Sequence, residues 1–203
     1  MNIILDIFNY VFVAIIIGVA STWVVLIRSM LRTFHDAPFL DKFEKKEHEK
    51  PKVSIILPAR NEEKFIGKCL TSLLDQDYDN YEIIVINDSS EDSTAEIIKK
   101  YEKKFSKVIL VDAKSKPEGW VGKNWACMEG YKKSTGNLLL FTDSDTVHAS
   151  SVISLAVSHL LSLELDALTV IPRMLCLDPI TKITLPMISV FLHTRFSALR
   201  VND

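Results

Sequence analysis

The chain has 203 residues, 48% of them apolar, and a formal net charge of −2. That length suffices for one α/β domain plus an appendage, and the near-neutral charge excludes the broad basic field expected of a nucleic-acid-binding surface. Three scattered cysteines, Cys69, Cys127 and Cys176, are odd in number and sit among apolar residues. They read as reduced core thiols of a cytoplasmic domain, not as a disulfide set or a metal cluster.

The first element is an uncharged run from Ile7 to Ile27, dense in Ile, Val and Phe. Its length is close to the roughly 20 residues that cross a bilayer as a helix. Tyr10 and Trp23 lie near its ends, where amphipathic rings favour the interface. A basic start, a shorter apolar stretch and a small-residue cleavage site would mark a signal peptide, and none is clear. A buried core helix is the other alternative. Arg28, Arg32, Lys42, Lys45 and Lys46 follow the run and no Lys or Arg precedes it, so the positive-inside rule puts the C-terminal side in the cytoplasm. Residues 1–30 are therefore expected to be a retained cell-membrane anchor, and residues 31–52, rich in mixed charge, a juxtamembrane linker.

A folded domain is expected over residues 53–172. Val53-Ser54-Ile55-Ile56-Leu57 reads as a strand that stops at Pro58. After Ala59-Arg60-Asn61-Glu62-Glu63 comes a helix whose Phe65, Ile66, Cys69, Leu70, Leu73 and Leu74 form one apolar stripe. Gln76 to Asn80 is a turn, and Tyr81 to Ile86 a second strand ending on Asn87-Asp88-Ser89-Ser90. Ser93 and Glu96 match a capping box that opens a helix carrying Ile97, Ile98, Tyr101 and Phe105. Val108 to Val111 is a third strand. Pro117, Gly119 and Gly122 around Trp120 specify a loop, and the chain turns helical from about Lys123 to Lys133. A Lys at a helix start opposes the helix dipole; it is either solvated or faces a phosphate together with the helix N-terminus.

Leu138 to Phe141 reads as a fourth, buried strand that runs into Asp143-Ser144-Asp145. In extended chain the two carboxylates point the same way, as a site for Mg²⁺ or Mn²⁺ completed by substrate phosphates requires. Alone, the pair could equally cap the next helix. A helix is expected over 149–163 and a strand over Ala167 to Ile171. The apolar stretch Pro179 to Leu199, within residues 173–203, is either core or an interfacial helix. His148 and His193 lack spaced partners and are not taken as ligands. Strands alternating with helices predict a parallel α/β sheet with both faces covered. Its ligands belong at the carboxyl ends of the strands, where strand order reverses. Polar clusters follow the first, second and fourth strands, and three on one rim favour the metal-site reading over a lone Asp-x-Asp.

Together, Pro58-Ala59-Arg60-Asn61-Glu62, Asn87-Asp88-Ser89-Ser90-Glu91-Asp92-Ser93-Thr94 and Asp143-Ser144-Asp145 resemble a GT-A fold, family 2 inverting glycosyltransferase. The loop Pro117 to Lys123 is similar to that of the branch with hopanoid- and carotenoid-associated members. The resemblance spans about Val53 to Pro172. It implies a nucleoside-diphosphate sugar held by Pro58, Ala59, Arg60, Asn61, Glu62, Asp88, Lys123, Asp143 and Ser144. It also implies a Mn²⁺ or Mg²⁺ ion on Asp143 and Asp145, and a lipid or other membrane-associated acceptor. Asn87 departs from the Asp that the family often has there. The family's general base stands in an Glu-Asp type motif further along, and Glu164, Asp166 and Asp178 lack that context. The catalytic base is thus unassigned, and the chain is expected to be a membrane-anchored, metal-dependent transferase of this kind or its donor-binding half. The alternative is a non-catalytic binding module that pairs with a separately encoded C-terminal half. A nucleotidyltransferase would want a Gly-rich phosphate loop after the first strand, which Pro58-Ala59-Arg60-Asn61 is not.

Overall fold

The computed structural model describes residues 3–36, 40, 49–175, 178–185 and 188. Its elements run α1 (Ile3–Asp36), β1 (Val53–Ala59), α2 (Ile66–Leu74), β2 (Tyr81–Asn87), α3 (Thr94–Lys104), β3 (Val108–Asp112), α4 (Gly122–Tyr131), β4 (Leu138–Phe141) and α5 (Val152–Ser162). Two compact units divide the chain: Phe43–Pro172, and Met1–Lys42 with Arg173–Asp203.

In α1 the stretch Asp6–Ser29 is long and apolar enough to cross a membrane, and none of it is buried. The buried-core alternative therefore finds no support. Asp178 opens a helical stretch at residues 179–185 by accepting hydrogen bonds from Thr181 N (2.8 Å) and Oγ1 (2.5 Å). Cys176, His193 and most of the stretch to Leu199 lie outside the described residues.

The larger unit is a four-stranded sheet ordered β3-β2-β1-β4, and every pairing is parallel. The expected α/β class is what the residues build. On one face Ile55, Leu57, Ile83 and Val85 pack with Ile66, Leu70 and Leu73 of α2, Ile98 of α3 and Ile153 of α5. On the other, Ile56, Ile84 and Ile86 pack with Ala126 of α4. Gly130 of α4 lies so close to the sheet that an added Cβ would come within 2.6 Å of Ile86 and 2.7 Å of Ile56. Strand order reverses between β1 and β4, so the topology opens a crevice there. β4 is one edge of the sheet and not the buried strand expected: with no strand beyond it, Leu139 and Phe141 on its α4 side are exposed.

Three expectations need correction. β1 does not stop at Pro58; it runs to Ala59, with Pro58 opposite Ile86. Thr142 N donates to Ile56 O, so even-numbered residues of β1 turn their peptide groups toward β4, which pairs only as far as Ile56. The missing N–H of Pro58 falls past that end and costs no ladder bond. The capping box at Ser93 and Glu96 does not form. Asp92 Oδ1 accepts from Thr94 N (3.0 Å) instead, and Ser93 makes no side-chain cap. Ala167 to Ile171 is not a strand: no neighbouring strand supplies ladder bonds, and all but Leu168 are exposed.

At the amino ends of the strands a buried polar knot ties the sheet together. Glu82 accepts from Ser54 Oγ (2.6 Å), Lys52 Nζ (2.7 Å) and Thr135 N (2.8 Å). Burial opposes the charge, but these hydrogen bonds outweigh it and hold the Glu82 carboxyl down at about 2. Gly136 N donates to Ser54 Oγ (2.8 Å), and a Cβ at Gly136 would lie 2.6 Å from Ser54 N. The knot thereby fixes where β4 begins.

Glu82→Gln should cost about 2–3 kcal/mol, the worth of hydrogen bonds to a charged group. Because the folded-state pKa is depressed, the contribution is present above about pH 4.5 and lost as pH falls toward 2. Denaturant titrations of both proteins should show a constant gap above pH 5 that closes in acid; a gap independent of pH would refute the assignment.

Candidate functional site

The polar clusters come together because β1, β2 and β4 are adjacent and parallel. After β1 the chain passes Arg60, which is exposed, and reaches Asn61 in the left-handed region at φ 55°. Asn tolerates that conformation better than most residues, and here it is held from both sides. Asn61 N donates to Ser90 Oγ (3.2 Å), and Asn61 Oδ1 accepts from Glu91 N (2.8 Å). Glu62 N donates to Thr94 Oγ1 (2.8 Å) and Glu63 N to Asp92 Oδ2 (3.2 Å). The loops after β1 and β2 are thus zipped into one body. Asn87 takes part: its Oδ1 accepts from Ser90 N (3.1 Å) and its Nδ2 donates to Asp112 Oδ1 (2.8 Å). An Asp there could not donate to Asp112.

Asp88 follows, its N–H donating to Ala59 O (2.9 Å). Its carboxylate lies against the first residue of α4: a Cβ on Gly122 would sit 3.3 Å from Asp88 Oδ2. The loop before α4 turns at Gly119, φ 84°, with Trp120 N bonded to Pro117 O (3.3 Å). Trp125 Nε1 anchors it to Lys114 O (2.9 Å), and Trp120 meets Trp125 edge-on at 5.3 Å.

The Asp-x-Asp segment sits otherwise than its strand reading implies. β4 ends at Phe141, and Asp143 to Thr146 form a turn closed by Thr146 N on Asp143 O (3.4 Å). Ser144 is buried, while Asp143 and Asp145 on either side of it are exposed. A turn, not the pleat of a strand, therefore presents both carboxylates to solvent. Glu62 joins them: burial first, then the charges of Asp145, Asp92 and Asp143, push its carboxyl above the usual range, and Lys123 pulls it back. Lys123 Nζ lies 2.5 Å from Asp143 Oδ1. Its pKa is raised, chiefly by that hydrogen bond, against burial.

Packed against the turn is His148, which the sequence offered as a lone histidine and not as a ligand. His148 Nε2 is 2.9 Å from Thr142 Oγ1, and His148 N donates to Ser72 Oγ (3.0 Å). Ser72 Oγ donates to Cys69 O (2.8 Å), Thr146 Oγ1 to Asp143 O (2.6 Å), and Cys69 Sγ contacts Asp143 O at 3.7 Å. Burial pushes the Cys69 thiol up to about 12, so it stays neutral under the carboxylates. A His three residues after the second Asp gives no periodic signal; only its contacts reveal it.

The site thus gathers Glu62, Lys123, Asp143 and Asp145, with Asp88 across the start of α4 and Arg60 on the same rim. Among the described residues no group of three or more His, Cys, Asp or Glu forms a closed metal cage. Two exposed carboxylates in one turn match instead a hard cation that draws its remaining ligands from water and substrate phosphates, so the donor set fits Mg²⁺ or Mn²⁺.

Residues 54–182 match the model of glycosyl transferase family 2. The 4,4'-diaponeurosporenoate glycosyltransferase of Staphylococcus haemolyticus strain JCSC1435 is 37% identical over 128 residues, 62% of this chain and 32% of that protein. The probable glycosyltransferase YdaM of Bacillus subtilis strain 168 is 34% identical over 108 residues, 52% of this chain and 26% of its own length. The matched stretch thus spans a third or less of these relatives. In fold, the chain is similar to the mannosyltransferase PcManGT from Pyrobaculum calidifontis, solved in complex with GDP-Man and Mn²⁺. The TM-score is 0.54 and the identity 21%, over 68% of this chain and 39% of that one.

His148→Ala should destabilise the larger unit by about 1–3 kcal/mol, because it removes the hydrogen bond between the imidazole and the half-buried Thr142 Oγ1, and His148→Gln by less. Burial lowers the His148 pKa, so its contribution is complete above about pH 6.5 and declines as pH falls below that value. Chemical denaturation at pH 7.5 and 5.5 checks both; equal pH dependence in wild type and His148→Ala would refute the role.

Proposed function

On the premise that this chain belongs to glycosyl transferase family 2, we propose that it is the membrane-anchored, donor-binding part of a metal-dependent inverting glycosyltransferase. The observation that carries this reading is the meeting of Glu62, Lys123, Asp143 and Asp145 at the β1–β4 reversal, where a parallel sheet binds its ligand. In this reading Pro58, Ala59, Arg60, Asn61, Glu62 and Asp88 line the nucleoside, with the zipped loops holding their backbone in place. Asp143 and Asp145 hold Mn²⁺ or Mg²⁺, with Lys123 and Ser144 beside the diphosphate. The cation, when bound, would offset charge on the leaving diphosphate. Lys123 adds a second positive charge at the same group.

The acceptor in this reading is a lipid or another membrane-associated hydroxyl compound, in keeping with α1 and with the basic residues that follow it. Residues 1–30 anchor the chain once and residues 53–172 work in the cytoplasm; residues 31–52 link the two, and 173–203 follow the donor-binding domain. Transfer needs a base to take the acceptor's proton. Among the described residues after Asp145, the carboxylates are Glu164, Asp166 and Asp178, and Asp178 is engaged by Thr181. That engagement favours, as a second reading, a chain that binds donor but needs a separately encoded half for transfer.

UDP or GDP should raise the melting temperature by several degrees at a hundredfold excess over Kd, where binding contributes about 2.7 kcal/mol. The shift should require Mn²⁺ or Mg²⁺, and Asp143→Asn or Asp145→Asn should abolish it in a thermal-shift assay. A shift retained in both variants would sink the metal assignment. The chain should also stay in the membrane pellet through alkaline carbonate washing. Labelling of Lys42, Lys45 or Lys46 from outside intact cells would reverse the topology.

A further inference from the structure

The contact between Lys123 and Asp143 sits awkwardly with a site that must take up a cation. Asp143 Oδ1, an oxygen assigned above to a metal ion, already has an ammonium 2.5 Å away. Lys123 stands in the first turn of α4, where the helix dipole disfavours a positive charge. It therefore gains little from its own helix, and its partner lies across the crevice on the turn after β4. Both side chains are more than half exposed, 60% for Lys123 and 57% for Asp143. A pair so open is weak, and the four-carbon stem of a lysine lets the ammonium swing without backbone movement. Glu62 feels the charges of both Asp145 and Asp143, so departure of the ammonium leaves the negative charge there less compensated.

From these contacts we propose that Lys123 is an exchangeable latch. It serves as the resident counter-ion of Asp143, and it releases that carboxylate to a divalent cation when a diphosphate arrives to take the ammonium. The inference rests on the donor-site reading above and goes beyond it. In that reading Lys123 binds the diphosphate; here it also competes with the metal. An ammonium on Oδ1 and a dication on the same carboxylate repel at close range, so each lowers the other's occupancy. A diphosphate removes the conflict by drawing the ammonium to itself, where charge-assisted hydrogen bonds hold it. Metal and nucleotide therefore bind with positive cooperativity, and the coupling must be the same seen from either ligand. A site built this way resists loading with free metal and takes up metal and nucleotide together.

The test uses the full chain in mild detergent, with Mn²⁺ alone, UDP and GDP as probes. Free Mn²⁺ is followed by electron paramagnetic resonance, and nucleotide binding by calorimetry. Lys123→Met keeps most of the unbranched stem and removes the charge; Lys123→Arg keeps the charge. Lys123→Met should bind Mn²⁺ alone about two- to fivefold tighter than wild type, the worth of an exposed ion pair. It should bind the nucleotide at saturating Mn²⁺ at least about tenfold more weakly. The gain in Mn²⁺ affinity on adding nucleotide should shrink accordingly, while Lys123→Arg stays near wild type. Opposite signs for the two ligands are what a purely structural role could not produce. If Asp143→Asn abolishes Mn²⁺ binding but Lys123→Met leaves it unchanged or weaker, the latch is wrong and the donor site stands. If Lys123→Met binds the nucleotide as wild type does, the ammonium does not move to the diphosphate, and the latch is again wrong. If wild type binds no Mn²⁺ with or without nucleotide, the metal reading fails and the latch falls with it.

Discussion

Glu62, Asp143 and Asp145 carry like charges to one rim of the sheet, and that repulsion is the constraint the rest of the domain answers. It shows in Glu62, whose carboxyl is pushed up by burial and by both aspartates. Nothing in the three side chains themselves favours their meeting; the backbone imposes it. β1 and β4 are hydrogen-bonded neighbours, so whatever follows one must face whatever follows the other. The loops after β1 and β2 bind each other through Asn61, Glu63, Asp92 and Thr94. The turn after β4 rests on Thr142, His148 and Ser72. The loops that carry the carboxylates are thus each held by hydrogen bonds.

The opposite end of the same sheet treats a carboxylate in the reverse way. Glu82 is buried, receives an ammonium, a hydroxyl and a backbone N–H, and ends with its pKa at about 2. Every acceptor there is used within the chain, so that end stabilises and can recognise nothing. Glu62 lies one strand away at the other end and keeps its carboxylate unsatisfied. The difference is not residue type but whether the loop folds back with donors. At the base, Thr135 and Gly136 return to β1 and β2 and supply them. At the rim, the loops turn their backbone donors on one another, and Asp143 faces the exposed ammonium of Lys123.

This division explains how much could be read from the chain alone. Apolar runs bounded by turn residues, alternating with stripes such as Ile66, Cys69, Leu70 and Leu73, force parallel α/β units. Parallel units in turn send Glu62, Asp88 and Asp143 to one edge. Placement at the rim was thus legible. Local geometry was not, because it depends on contacts between residues far apart in sequence. The Ser93–Glu96 box gave way to Asp92, which accepts from the amide of Thr94. Ala167 to Ile171 had strand-like composition but no neighbour to pair with. His148 carried no spacing signal, since its partners Ser72 and Thr142 come from two different elements. Asp143 and Asp145 were expected to be aligned by a pleated strand, but a turn carries them.

The start of α4 shows how the two levels combine. Its first turn has amide groups that no carbonyl of the helix can satisfy, and Val121 supplies no side-chain cap. Asp88 stands against Gly122 there, a carboxylate where the helix dipole favours one. Gly122 matters because a side chain at that position would crowd the Asp88 oxygen. Lys123, one residue further, carries the charge the dipole disfavours, and it leans away to Asp143. One helix end therefore touches two of the three strand-end clusters with opposite electrostatic preferences. Its amides favour an anion, and so does its lysine once Asp143 is neutralised by another cation. The carboxylates of β4 repel an anion until that happens. A ligand that is anionic next to α4 and cationic next to β4 satisfies both sides at once, which is the charge distribution of a diphosphate carrying a divalent metal.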